Sequence, residues 1–387
     1  MKLASAMSRL GTETAFEVLV RARALEATGR DIVHLEIGEP DFDTPGNIIA
    51  VGAEALRSGW THYGPSAGLP DLRESIAHYL NRSRGTEYKP ENIIVTPGGK
   101  PIMFFVILAL LEPGDEAIYP NPGFPIYESM INFTGATDVP SPIRESNEFA
   151  LDVNELEELI TPRTKLLIIN SPGNPTSGVL TRSDIERIAE IAVRHDLTVL
   201  SDEIYSEIIY DGEHVSIATM PGMVDRTIVL DGFSKTYAMT GWRLGYGAMP
   251  VELAGHINKL MVNSVSCTSV AVQRAGIEAL EGPQDDVRAM VTAFRGRRDI
   301  MVEGLNAIPG ITCLNPKGAF YVFPNISATG KSSREFADSL LEEHGVAALS
   351  GTAFGKHGEG YLRLSYANSE ENLRKALTRI CDAAAHD

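Results

Sequence analysis

Cysteine is scarce in this chain. The three present, Cys267, Cys313 and Cys381, stand far apart with no Cys-x-x-Cys pair, which argues against a disulfide framework or a cysteine zinc site and fits a reducing cytoplasm. Long apolar runs are lacking too: the longest, Ile102 to Leu111, is about half of what crosses a bilayer and reads as a buried helix. The opening residues, Met1-Lys2-Leu3-Ala4-Ser5, hold no apolar stretch of the kind a signal peptide needs. Positive charge is in deficit. Lys and Arg number 34 against 51 Asp and Glu, a net charge of −17, and a surface that acidic repels nucleic acid and anionic membranes. The nine histidines include no His-Glu-x-x-His pair, so no metal site is expected.

A chain of 387 residues exceeds what one simple core organises and suits two domains. The pattern changes near residue 285. Upstream, apolar strand runs alternate with helical stretches. Downstream come a long charged helix, Asp286 to Leu305, a strand within Gly318 to Phe323, a helix from Ser333 to His344 and a strand within Tyr361 to Tyr366. Together with an N-terminal helix over Phe16 to Thr28 and an extended run from Ile32 to Ile37, these make a smaller domain from both chain ends, 1–45 plus 285–387, beside a large domain, 46–284.

Three apolar runs of the large domain end on polar residues. Leu166 to Ile169 leads to Asn170, Leu197 to Ser201 leads to Asp202, and Thr227 to Asp231 leads to Ser234 and Lys235. The first run, apolar at every position, belongs to a parallel sheet, and ligands of open α/β sheets sit at the carboxyl ends of the strands, so the three successive ends converge on one pocket. A lysine against a buried strand end loses hydration and with it proton affinity, which a Schiff-base lysine requires. Arg243, followed by Gly245 and Gly247, can clamp a phosphate with its planar fork, and Ser234 can donate to the same phosphate. At the second of these ends Asp202 offers a carboxylate that can pair with a cation and Tyr205 a hydroxyl that can donate a hydrogen bond. Read singly, Lys235 and Arg243 are loop cations, Asp202 a helix N-cap and Tyr205 a packing residue.

Taken together, the stretches Ser234-Lys235-Thr236-Tyr237 and Gly241-Trp242-Arg243-Leu244-Gly245, the loop Asn174-Pro175-Thr176-Ser177-Gly178, the turn Pro97-Gly98-Gly99-Lys100 and the segment Arg363-Leu364-Ser365 resemble the class I/II aminotransferases. These are fold-type-I enzymes that use pyridoxal phosphate, and the likeness is greatest to the bacterial aspartate-aminotransferase-like branch. The resemblance implies an α/β fold: a large, mostly parallel seven-stranded sheet covered by helices on both faces, with a smaller α+β domain. It implies that Gly99 and Lys100 bind the cofactor phosphate through their backbone, that Phe124 stacks on the ring, that Asp202 pairs with the protonated pyridine nitrogen and keeps the ring an electron sink, that Tyr205 donates to the phenolic oxygen, and that Asn174 bonds the same oxygen and touches the substrate carboxylate. It implies further that the Gly38 backbone lies near that carboxylate, that Arg363 holds it bidentately, and that Tyr63 reaches the phosphate of a partner subunit in a homodimer with shared sites. Without the resemblance, Gly38 reads as an inter-domain turn, Phe124 as core and Arg363 as an exposed edge-strand arginine.

The implied reaction is transamination between an L-amino acid and a 2-oxo acid such as 2-oxoglutarate or pyruvate, with Lys235 as the proton carrier. Aspartate-selective relatives place a lysine on the helix after the Gly-Gly-Lys turn, whereas here 102–111 is apolar, which favours a neutral or aromatic donor. Arg9 or His62 can still supply a cation, so an acidic donor stays open. A fold-type-I lyase, decarboxylase or racemase uses the same lysine and ring. A non-enzymatic sensor domain is the remaining rival, though regulators of that kind carry a basic helix-turn-helix, and none stands before Gly38. Two further motifs fail on context: Gly64-x-Ser66-x-Gly68 lacks the buried strand that a hydrolase elbow needs, and Gly330-Lys331-Ser332 lacks the first glycine of a phosphate loop.

Overall fold

In the computed structural model, which describes residues 1–385, the strand over 164–170 shows how the large sheet forms. Leu166 and Ile168 pack on one face with Ile102, Val106, Ile131 and Leu200. Leu167 and Ile169 pack on the other with Ile185, Ile188, Val199 and Ile217. Successive side chains of a strand point to opposite faces, so a run apolar at every position needs cover on both sides.

Seven strands join in this sheet: Ile93–Thr96 (β1), Glu116–Asn121 (β2), Thr137–Pro142 (β3), Thr164–Asn170 (β4), Thr198–Asp202 (β5), Thr227–Gly232 (β6) and Gly245–Ala248 (β7). Their order is β1-β7-β6-β5-β4-β2-β3. Strands β2 to β6 run parallel to one another, and β7 lies antiparallel between β1 and β6. Asn170 is in register with Asp202, and Asp202 with Leu230, which brings the carboxyl ends of β4, β5 and β6 level. The edge strand β3 carries Pro140 and Pro142, which a sheet tolerates at its edge because proline has no N–H to give a neighbour. Helices cover the faces where their apolar stripes match. In Arg182–Arg194 the Thr181–Asp184 capping box sets the start, and Ile185, Ile188, Ala189 and Ala192 are buried at the three-and-four spacing of one helix face.

A second core gathers Phe294, Met301 and Leu305 of the helix Asp285–Asn306 with Phe320, Phe336, Leu340, Leu364 and Ile380. Its antiparallel sheet has Leu362–Ser365 between Leu349–Ser350 and Tyr321–Val322. Val33–His34 lies parallel to Val346–Ala347, fastening the N-terminal segment to the C-terminal one. The extended run expected over Ile32 to Ile37 is a strand only at Val33–His34, because its partner strand is two residues long. The first long helix spans Thr14–Glu26, two residues ahead of the expected bounds at either end. Among the described residues no helix is long and apolar enough to cross a membrane.

Beside the sheet, Arg84, whose side chain is 2% exposed, forks between Glu203 and Asp231 and also donates to Ser206 Oγ at 2.7 Å. Glu203 is closed off by Ser201, Ser216 and His214 at 2.9, 2.7 and 2.9 Å. Removing one partner of such a network leaves buried carboxylates without compensation, a loss of about 3–5 kcal/mol. Arg84→Leu is therefore expected to lower the urea midpoint of unfolding by that equivalent; an unchanged midpoint would contradict it.

Candidate active site

A cavity of about 1120 Å³ opens between the carboxyl ends of the large sheet and the second core. Gly98, at φ +90°, sits in the left-handed region that glycine enters without a Cβ penalty. A Cβ there would run into the Arg243 guanidinium, and one at Gly245 into the main chain of Gly98 and Gly99. The helix Lys100–Leu110 starts directly after Gly99, so its first N–H groups, at the positive end of the helix, have no partner within the helix. Arg243 Nη1 donates to the Thr240 carbonyl at 2.8 Å, and Ser234 is a buried residue of the same wall.

Asp202, at the end of β5, accepts from the Tyr127 hydroxyl at 2.7 Å and from the Ile204 N–H at 3.3 Å. Burial pushes its carboxyl up to about 6, against the pull of these two hydrogen bonds. Burial pushes the adjacent Glu203 up as well, but His214 and Arg84 outweigh it and hold that carboxyl down at about 2. Asn170 Nδ2 donates to the Asp202 carbonyl at 3.0 Å, and its Oδ1 accepts from the Asn174 N–H at 2.8 Å. The Tyr205 hydroxyl lies 2.7 Å from that of Tyr321. The Phe124 ring meets Tyr127 edge-on with centroids 5.7 Å apart.

Lys235 Nζ donates to the Gly38 carbonyl. Burial lowers its pKa to about 8, with Arg363, Lys100 and Arg243 adding to the effect and Glu39 opposing it. The Gly38 backbone thus faces the lysine directly, and a Cβ at Gly38 would strike the Tyr321 hydroxyl.

Arg363 corrects one reading of the sequence. Its strand is the middle one of the small sheet, and the residue is 3% exposed, so it is not an exposed edge-strand cation. Its Nη2 donates to the Glu36 carbonyl and its Nη1 reaches Asn174 Oδ1 at 3.4 Å. The guanidinium lies over the rings of Tyr321 and Phe354 at 4.6 and 5.1 Å. Burial lowers its pKa, with Tyr321, Tyr205 and Glu36 opposing, yet a guanidinium stays protonated. Its Nε has no hydrogen-bond partner, and a buried cation with an unfilled donor calls for an anion.

Gly38, Gly99, Lys100, Phe124, Asn174, Asp202, Tyr205, Ser234, Lys235, Arg243 and Arg363 all line this cavity. Tyr63 stands apart, outside the lining and 89% exposed. Arg9 donates to the carbonyls of Asn132 and Phe133, and neither it nor His62 lines the cavity. Sequence reasoning missed Tyr127, Tyr321 and Glu13. Tyr127 and Tyr321 were legible only as aromatic residues near strand ends, and nothing marked Glu13, which pairs with Lys100. The donor set fits pyridoxal phosphate: a glycine turn and an arginine for a phosphate, a buried carboxylate for a pyridinium, a desolvated lysine for an aldehyde carbon. With a pKa near 8, Lys235 of the apoprotein is expected to undergo reductive alkylation by an aldehyde and borohydride with a rate that rises through a midpoint near pH 8. Peptide mapping by mass spectrometry follows it, and a midpoint near 10.5 would refute the desolvated state.

Comparison with known proteins identifies the family. The family model for aminotransferase class I and II matches residues 30–380. The chain is 44% identical to an aspartate aminotransferase of Pyrococcus abyssi over 91% of each chain. It is 41% identical to an arginine–pyruvate transaminase of Pseudomonas aeruginosa, covering 96% of this chain and 94% of that one. An aromatic-amino-acid aminotransferase of Thermococcus litoralis is 42% identical over 90% of each. Among solved structures, the aspartate aminotransferase of Thermus thermophilus with maleate superposes with a TM-score of 0.94 at 39% identity, over 99% of this chain and 100% of that one. The chain belongs to the class I and II aminotransferases, pyridoxal-phosphate-dependent enzymes that move an amino group between an amino acid and a 2-oxo acid.

Proposed function

We propose that the amino donor is a neutral or aromatic L-amino acid and the acceptor a 2-oxo acid such as 2-oxoglutarate or pyruvate. The observation that carries this reading is the Glu13–Lys100 ion pair in the cavity wall. The Lys100 ammonium in that wall is already answered by Glu13, and it lies 5.9 and 5.5 Å from the ring centroids of Phe16 and Phe124. Those rings offer apolar surface to an uncharged side chain.

Pyridoxal phosphate, when bound, supplies an electrophilic carbon and an electron-accepting ring. The Gly99 and Lys100 N–H groups, Ser234 and Arg243 would hold its phosphate, Phe124 would pack on the ring, and Asn174 and Tyr205 would hold its phenolic oxygen. Asp202 would supply a negative charge to the pyridine nitrogen. Arg363 binds the substrate α-carboxylate, with Asn174 and the Gly38 backbone at its edge. Lys235, whose lowered pKa lets it lose a proton near neutral pH, takes the proton from the substrate α-carbon and gives it up again as the amino group changes hands. Residues 1–45 with 285–387 act as the domain that closes over 46–284. Tyr63, a large side chain in water, serves the site of a second subunit in a homodimer. The enzyme works in the cytoplasm, as the scarcity of cysteine suggests.

Two outcomes test this. Lys235→Ala is expected to cut transamination by about 10²–10⁴-fold from loss of the base alone, read as oxo-acid release; retained activity would refute the role. Phenylalanine and alanine are expected to outpace aspartate in kcat/KM, and a strong preference for aspartate would overturn the donor assignment.

A further inference from the structure

Next to Arg363 lies a charged pair that the roles above do not use. Glu36 is fully buried, at 0% exposure. One of its carboxylate oxygens accepts from His34 Nδ1 at 2.7 Å, and the other, Oε2, has no donor. His34 Nε2 reaches Glu26 of the N-terminal helix at 3.1 Å, and Asn368 Nδ2 donates to the His34 carbonyl at 2.9 Å. These contacts hold the imidazole between two carboxylates. Its bond to Glu36, opposed by burial and aided by Glu26, raises the His34 pKa to about 9, so both ring nitrogens carry protons at neutral pH.

Glu36 is also tied to Arg363. Its main-chain carbonyl accepts from Arg363 Nη2, and its negative charge acts on the guanidinium. A buried acceptor without a donor, Glu36 Oε2, and a buried donor without an acceptor, Arg363 Nε, therefore sit on two residues already joined through the backbone. Buried polar groups seek partners, and charged ones most of all. A carboxylate turned onto Arg363 would compete with the carboxylate of the substrate. What draws Glu36 the other way is the imidazolium of His34.

We propose that His34 is a positioning residue for substrate binding: by engaging Glu36 it keeps that carboxylate off Arg363 and leaves the guanidinium to the incoming α-carboxylate. This rests on the reading of Arg363 as the α-carboxylate site. Every amino acid and oxo acid that the enzyme uses carries that same group, so the effect falls on all substrates alike and on binding rather than on the chemical step.

The test compares holoenzyme of wild type, His34→Ala, His34→Gln, Glu36→Gln, His34→Ala with Glu36→Gln, and Arg363→Gln. KM and kcat are measured for an amino donor and an oxo acid, and the dissociation constant of the unreactive carboxylate 3-phenylpropionate by calorimetry. His34→Ala is expected to raise both KM values and the 3-phenylpropionate constant about tenfold or more, the scale of one weakened charge-assisted hydrogen bond, with kcat within about twofold. Adding Glu36→Gln should bring these constants back toward wild type, because a neutral amide does not compete for the guanidinium. His34→Gln, which can still donate to Glu36 but lacks the positive charge that draws it, covers the case in which the alanine variant fails to fold and should show a smaller change in the same direction. Unchanged constants in the folded His34 variants overturn the proposal, and so does a rise that persists when Glu36→Gln is added. Arg363→Gln separates the two ideas: if it leaves KM and the 3-phenylpropionate constant unchanged, the Arg363 reading itself is wrong.

Discussion

Arg84 joins Glu203 to Asp231, and the floor of the site depends on that fork. Glu203 directly follows Asp202, and Asp231 precedes Lys235 by four residues, so one guanidinium ties together the ends of the two strands that present the acid and the lysine. Neighbouring carboxylates on one strand meet opposite fates. Asp202 lies at the cavity and is pushed up by burial toward about 6, while His214 and Arg84 hold Glu203 down at about 2 against the same burial. Alternation of side chains along a strand puts them on different faces, and of the two only Glu203 is bonded directly by Arg84 and His214.

The cavity also needs the second core. Lys235 comes from the large sheet and Gly38 from the segment that crosses to the small one, and their hydrogen bond spans 197 residues of chain. Ser177 Oγ donates to the Tyr321 carbonyl at 2.9 Å, and Thr44 Oγ1 to the Ala238 carbonyl at 2.6 Å. These bonds join the large-domain loops to the segments of the small one. Arg363 is buried because its strand runs between two others and its guanidinium lies over the aromatic rings of Tyr321 and Phe354. A buried charge that attracts carboxylates is therefore a product of how the two cores meet.

Much of this was legible in the chain itself. Runs such as 166–169, apolar at every position, specify strands covered on both faces, and polar residues directly after them specify where a ligand binds, because the carboxyl ends of parallel strands face one crevice. That logic located Asp202, Ser234 and Lys235 from local pattern, and family motifs added Gly99, Asn174, Arg243 and Arg363. Other features were not local. The pattern of Leu244 to Met249 does not state a direction, and β7 is antiparallel because its chain turns straight back beside β6. The extended run at 32–37 has strand pairing over two residues because its partner is that short.

By itself the sequence determined the strands, their polar ends and the lysine, since side-chain period and turn residues act over a few positions. Tertiary structure alone decided the partners: Tyr127 with Asp202, Glu13 with Lys100, Arg84 with Glu203, and His34 with Glu36 beside Arg363. Most of those bonds join residues tens to hundreds of positions apart. Whether any of these groups is charged, shielded or available depends on the desolvation and distance that packing imposes, and neither is written in a window of sequence.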